Sequence, residues 1–111
     1  MAEITKETEQ KINQLQLFEQ SLQNILAQKQ QFQMQLVEIE SALGELDKTD
    51  NAYKIVGNIM VASNKESLKE DLKSKKDITN LRLKTLEKQE NHIKEKAEKL
   101  QSEILKKIKN E

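Results

Sequence analysis

Between residues 15 and 46 the apolar side chains fall at alternating spacings of three and four. Leu15, Phe18, Leu22, Ile25, Phe32, Leu36, Ile39, Leu43 and Leu46 follow this rule, and only Lys29 interrupts the series. A mean spacing of 3.5 keeps one stripe of a helix facing a partner helix along its whole length, so the segment reads as one strand of a coiled coil. Ile4 falls on the same register upstream, with Thr8 and Lys11 between. The other faces are rich in Gln, which favours helix and stays solvated. Gly44 is the weak point of this helix, placed near its end at about Asp47. Composition alone leaves disorder and coiled coil both open: 34% of the 111 residues are charged and 3% aromatic, with no proline. The heptads decide for the coiled coil.

A second helix is predicted after Ser63-Asn64. Ser63-x-x-Glu66 fits a capping box, and Asn64 is an equally good N-cap. Leu72, Thr79, Leu83, Leu86, Ile93, Ala97, Leu100 and Ile104 then mark a thinner stripe, with Lys76 and Glu90 also on it. At about 1.5 Å per residue each arm would run roughly 60–70 Å. Neither arm hides its stripe alone, and the charges say how they pair. Residues 1–47 carry three Lys against eight acids, and residues 64–111 carry fourteen Lys and Arg against ten. Opposite halves attract, so the chain is expected to fold back on itself. Paired numbers then add to about 115: Leu43 near Leu72, Leu36 near Thr79, Leu22 near Ile93, Leu15 near Leu100. The two polar interruptions, Lys29 and Glu90, would answer each other.

Between the arms the heptad stops and β-branched residues gather. Ala52–Val56 and Ile59–Ser63 flank Gly57-Asn58, a two-residue hairpin signal. Tyr53, Ile55, Ile59 and Val61 alternate with Lys54, Val56, Met60 and Ala62, so both faces are expected to carry apolar groups. A lone hairpin is marginal in water and exposes its edges. Tyr53, Ile55, Val56, Gly57, Asn58, Ile59, Met60 and Val61 are therefore candidates for an oligomerisation element; the alternative is an apolar loop packed on the coiled-coil end.

Catalytic chemistry finds no residues to work with. The chain has one His, no Cys and two glycines, so neither a metal cluster of ordinary spacing nor a phosphate-cradling loop is expected. His92 sits on the polar side of the second helix, where a solvated histidine is the plain reading. Net charge is zero, no apolar run approaches a membrane span, and the first thirty residues hold no signal-peptide core. No catalytic site, cofactor or metal is expected, no nucleic acid or membrane partner, and a cytoplasmic location. Two other function classes stay open. A structural or tethering coiled coil leaves the hairpin unexplained. A nucleic-acid-binding arm like that of seryl-tRNA synthetase has only the Lys73, Lys75 and Lys76 cluster in its favour, and acids flank it.

The order helix, Tyr-Lys-Ile-Val-Gly-Asn-Ile-Met-Val hairpin, capped helix resembles the β-class prefoldin subunit, most closely the archaeal form, over essentially the whole chain. Ala52–Val61 with Asn64-Lys65-Glu66 is the most specific stretch, and Leu86-Glu87-Lys88-Gln89-Glu90 and Gln28-Lys29-Gln30 match more loosely. A single hairpin points to the β class. The resemblance implies a mostly α fold, a long antiparallel two-helix coiled coil with a β-hairpin that joins an intersubunit β-barrel. It also implies one domain over residues 1–111, with helices over about 8–47 and 64–109 and the hairpin over about 51–63. Its implied partners are an α-type prefoldin subunit and further copies of the chain, two α with four β. Unfolded client proteins would be captured at the coiled-coil tips and passed to a group II chaperonin without ATP. At the end where both termini lie, Ile4, Ile12, Leu17, Leu105 and Ile108 accompany the seam residues Leu15, Phe18, Leu100 and Ile104. These nine are the candidate client-binding tip; the alternative is that they are ordinary seam and surface residues.

Overall fold

The computed structural model describes residues 5–110. Helix α1 (Lys6–Lys48) leads through strands β1 (Ala52–Val56) and β2 (Ile59–Ser63) into helix α2 (Lys65–Asn110). The fold is therefore two long helices with an antiparallel two-stranded hairpin between them. α1 starts two residues before the expected bound of about residue 8, because Thr5 caps it. The Thr5 hydroxyl accepts the Thr8 backbone N–H at 3.1 Å, and its carbonyl accepts that of Glu9 at 2.9 Å.

Of the two caps offered for α2, Asn64 is the one that forms. Its Oδ1 accepts the backbone N–H groups of Glu66 at 2.9 Å and Ser67 at 3.4 Å. Ser63 is not the cap, since it is the last residue of β2 and pairs with Ala52. A residue held in a ladder cannot also open the helix two positions on.

The chain divides into two compact units, residues 1–29 with 85–111 and residues 30–84. In the first, Ile25, Leu86, Leu100 and Ile104 are buried, and Leu15, Phe18, Leu22, Ile93 and Ala97 are half-buried. Thr8 is fully buried. In the second, Thr79 and Leu83 are buried and Phe32, Leu36, Ile39, Leu43, Leu46 and Leu72 are half-buried. The buried stripe is thus the heptad stripe in both. Thr79 fits an apolar layer because its hydroxyl donates to the Lys75 carbonyl, one turn back on its own helix, at 2.7 Å.

Ion pairs across the helices fall close to the register expected from the stripes. The first unit has Lys11–Glu103 at 3.4 Å, Lys29–Glu90 at 3.3 Å and Lys107–Glu7 at 2.8 Å. The second has Lys69–Asp47 at 2.6 Å and Lys76–Glu40 at 3.6 Å, with the Arg82 guanidinium 5.8 Å from the centre of the Phe32 ring. Lys107, ahead of Lys11, holds the Glu7 carboxyl below its ordinary pKa, and Lys69 does the same for Asp47. In return Asp47 raises the pKa of Lys69.

The hairpin turn is Gly57-Asn58. Gly57 has φ of +62°, and among the described residues no other type has positive φ, so only the first turn position is left-handed. That is the type II′ pattern, which matches the twist of the flanking strands and favours Gly first. Two glycines therefore invite opposite results from one substitution. Gly44→Ala adds a methyl into open space inside α1 and should raise stability by about 1 kcal/mol. Gly57→Ala also meets no atom, but its backbone is strained for an L residue, and about 1–2 kcal/mol should be lost. Thermal melts of the two variants read the signs directly.

Candidate interaction surfaces of the hairpin and the helix ends

Pairing in the hairpin runs Ala52 with Ser63, Tyr53 with Ala62, Lys54 with Val61, Ile55 with Met60 and Val56 with Ile59. Partners across an antiparallel ladder share a face. One face therefore carries Tyr53, Ile55, Met60 and Ala62, and the other Ala52, Lys54, Val56, Ile59, Val61 and Ser63. Both are apolar, as expected, but the membership differs from an alternation counted straight through the turn. A two-residue turn joins position 56 to 59, so odd residues of β1 share a face with even residues of β2.

The structure leaves this surface open. Ile55 is 68% exposed, Ile59 67% and Met60 66%, and Tyr53, Val56 and Val61 are exposed too. Only Ala52 is buried. Where the hairpin meets the helix ends, a hollow of about 460 Å³ is lined by Ala42, Leu46, Leu68, Leu72, Tyr53 and Ile55 among others. So many β-branched side chains in water, beside an unfilled apolar hollow, make the hairpin a candidate interaction surface.

The candidate tip residues divide. Leu17, Leu105 and Ile108 are exposed. Ile12, Leu15 and Phe18 are half-buried. Leu100 and Ile104 are buried in the stripe of the first unit, where they pack between the helices. Ile4 lies outside the described residues. The first unit also holds a polar clasp that the apolar pattern did not reveal. Glu7 Oε1 holds the ammonium of Lys107 at 2.8 Å and that of Lys11 at 3.8 Å, bringing the first turns of α1 to the last turns of α2. Charge asymmetry between the arms foretold attraction but not its partners, which depend on the reach of individual lysines.

Among the described residues no cluster of His, Cys, Asp and Glu is placed to hold a metal. No described helix is long and apolar enough to cross a membrane. Of the lysine cluster at 73, 75 and 76, Lys76 is turned toward Glu40 on α1.

Two long helices that bury a heptad stripe, joined by a hairpin exposed on both faces, define a class of coiled-coil hairpin protein. Comparison with known proteins makes the class specific. Residues 9–111 match the prefoldin subunit family. The prefoldin subunit beta of Pyrobaculum islandicum is 36% identical over 97% of this chain and 89% of its own length. That of Methanothrix thermoacetophila is 37% identical over 92% and 88%. The crystal structure of the prefoldin beta subunit from Thermococcus strain KS-1 superposes with a TM-score of 0.86 at 33% identity, covering 94% of each chain. The chain belongs to the prefoldin subunit family, in its β class. It is thus a prefoldin-type chaperone subunit, from a family of chaperones and not of enzymes, and membership implies assembly with other prefoldin subunits.

Proposed function

We propose that the chain is one β-class subunit of a hexamer of two α-type and four β-type prefoldin subunits. Working in the cytoplasm as a single domain, it captures unfolded proteins at its helix ends. It passes them to a group II chaperonin, and no nucleotide is consumed. The observation that carries this reading is the exposure of Leu17, Leu105 and Ile108 beside a seam already filled by Leu100 and Ile104. Apolar surface that the fold does not need for itself, on helix ends, suits a client of no fixed shape. Several such ends on one assembly turn weak contacts into useful holding.

The test replaces Leu17, Leu105 and Ile108 with Ser together. Because none of the three is buried, the melting temperature and the assembled mass should stay as they are. Suppression of aggregation of a denatured client, measured without ATP, should fall by roughly an order of magnitude as avidity is lost. Full suppression by the triple variant would refute capture at these residues. Suppression by neither protein would favour a purely structural coiled coil.

A further inference from the structure

Methionine is the one residue type in the hairpin that a mild peroxide oxidant converts. The chain has no Cys and no Trp, and its three methionines are Met1, Met34 and Met60. Met60 lies in β2 opposite Ile55, on the face shared with Tyr53 and Ala62. Met34 lies on α1, outside the hairpin. Each of these two side chains is 66% exposed, so a small oxidant in water reaches both sulfurs alike. Their surroundings differ. Met34 stands on a helix face bordered by Gln30, Gln33 and Glu38. Met60 stands among exposed apolar side chains on a strand pair.

On the reading that hairpins join the subunits, we propose that the Met60 thioether is a redox site deciding whether free chain enters the assembly. The sulfur lone pair attacks one oxygen of hydrogen peroxide, so that an S–O bond forms and the O–O bond breaks. Sulfur is oxidised by two electrons to the sulfoxide, and the other oxygen leaves with both protons as water. A flexible apolar side chain thereby becomes a polar one that needs a hydrogen-bond donor. In the single chain this changes little, because Met60 is exposed and water supplies the donor. Enclosed between strands of two chains, the sulfoxide has only the Tyr53 hydroxyl as a side-chain donor on its own face. Burying a polar group so poorly served should weaken association roughly tenfold or more. Assembly acts on the same atom in the opposite sense, since strands that cover Met60 keep peroxide away from it. Finished assemblies are therefore spared, and unassembled chain that has met peroxide is withheld. A sulfoxide reductase returns it to use, two thiols becoming a disulfide while the oxygen leaves as water.

Met34 is the internal control for the test. Unassembled chain is treated with hydrogen peroxide, freed of it, and titrated with an α-class prefoldin subunit. Peptide mass spectrometry reads the sulfoxide at each methionine, and light scattering reads the assembled mass. In the free chain Met34 and Met60 should be oxidised at similar rates. In the assembled protein Met60 should react roughly tenfold or more slowly than Met34. Treated Met34→Leu chain should lose affinity as the unaltered chain does, and treated Met60→Leu chain should keep it. Sulfoxide reductase with a dithiol should restore assembly of the treated, unaltered chain. Full affinity with Met60 oxidised, or an equal loss in the Met60→Leu chain, overturns the redox site alone. Untreated chain that stays monomeric with the α-class subunit overturns the assembly on which the site depends.

Discussion

Met60→Asp should reduce the protein to monomers at concentrations where the unaltered chain is assembled, with its helical content intact. Met60 is 66% exposed and shares its face with Tyr53, Ile55 and Ala62. Losing one such side chain from an interface forfeits about 1.5–3 kcal/mol of apolar burial. Enclosing a carboxylate there costs several kcal/mol more, as there is no cation on that face to receive it. At 1.4 kcal/mol per tenfold, the association constant should drop by roughly a thousandfold or more. Nothing in the single chain depends on Met60 in this way, so the melting of the helices should move little. Ile59→Asp makes the matching test on the opposite face, where Lys54 offers partial compensation and the loss should be smaller. Unchanged mass for both variants would show that the open hairpin is not the assembly element.

Why the hairpin was legible in the sequence, and the exact face of each residue was not, comes down to register. Gly57-Asn58 between two runs of strand formers suffices to place the turn, since few residues but Gly tolerate its backbone. Which side chains then share a face depends on the number of residues in the turn, and counting through it exchanges the membership of one strand. The helix cap repeats the lesson. Ser63 and Asn64 are chemically equivalent candidates, and only the pairing of Ser63 with Ala52 removes one of them. The seam was the most legible feature, because the heptad repeats often enough to overrule local exceptions such as Thr79. The tip was the least. Apolar residues near a chain end look alike on paper, and only packing separates Leu100 and Ile104, which are buried, from Leu105 and Ile108, which are not.

Lys29→Glu should lower stability by about 2–4 kcal/mol, while replacing Lys29 and Glu90 together by Leu should leave it unchanged or raise it. The two side chains lie in the seam at 3.3 Å, with 16% and 15% of their surface exposed. Lys94 also reaches Glu90, at 3.8 Å, from the more open side. A pair so placed has given up most of its hydration, and mutual attraction roughly offsets that loss. Reversing one charge removes the attraction and leaves two carboxylates facing each other, with only Lys94 to separate them. In a chain of this length each kcal/mol moves the melting temperature by about 4 °C, so the single variant should melt some 8–16 °C lower. Two leucines instead would fill the interrupted positions with the residue type that the stripes of both helices use elsewhere. If that double variant is more stable, the pair contributes something other than stability. A buried polar layer opposite apolar ones penalises every misaligned pairing of the two helices, because any slip sets a lone charge against leucine. The double-leucine protein would then be expected to gain thermal stability and lose uniqueness of pairing, seen as duplicated amide resonances or as mixed oligomers formed through the helices. A double variant that is markedly less stable would instead assign the ion pair a net stabilising role in this seam.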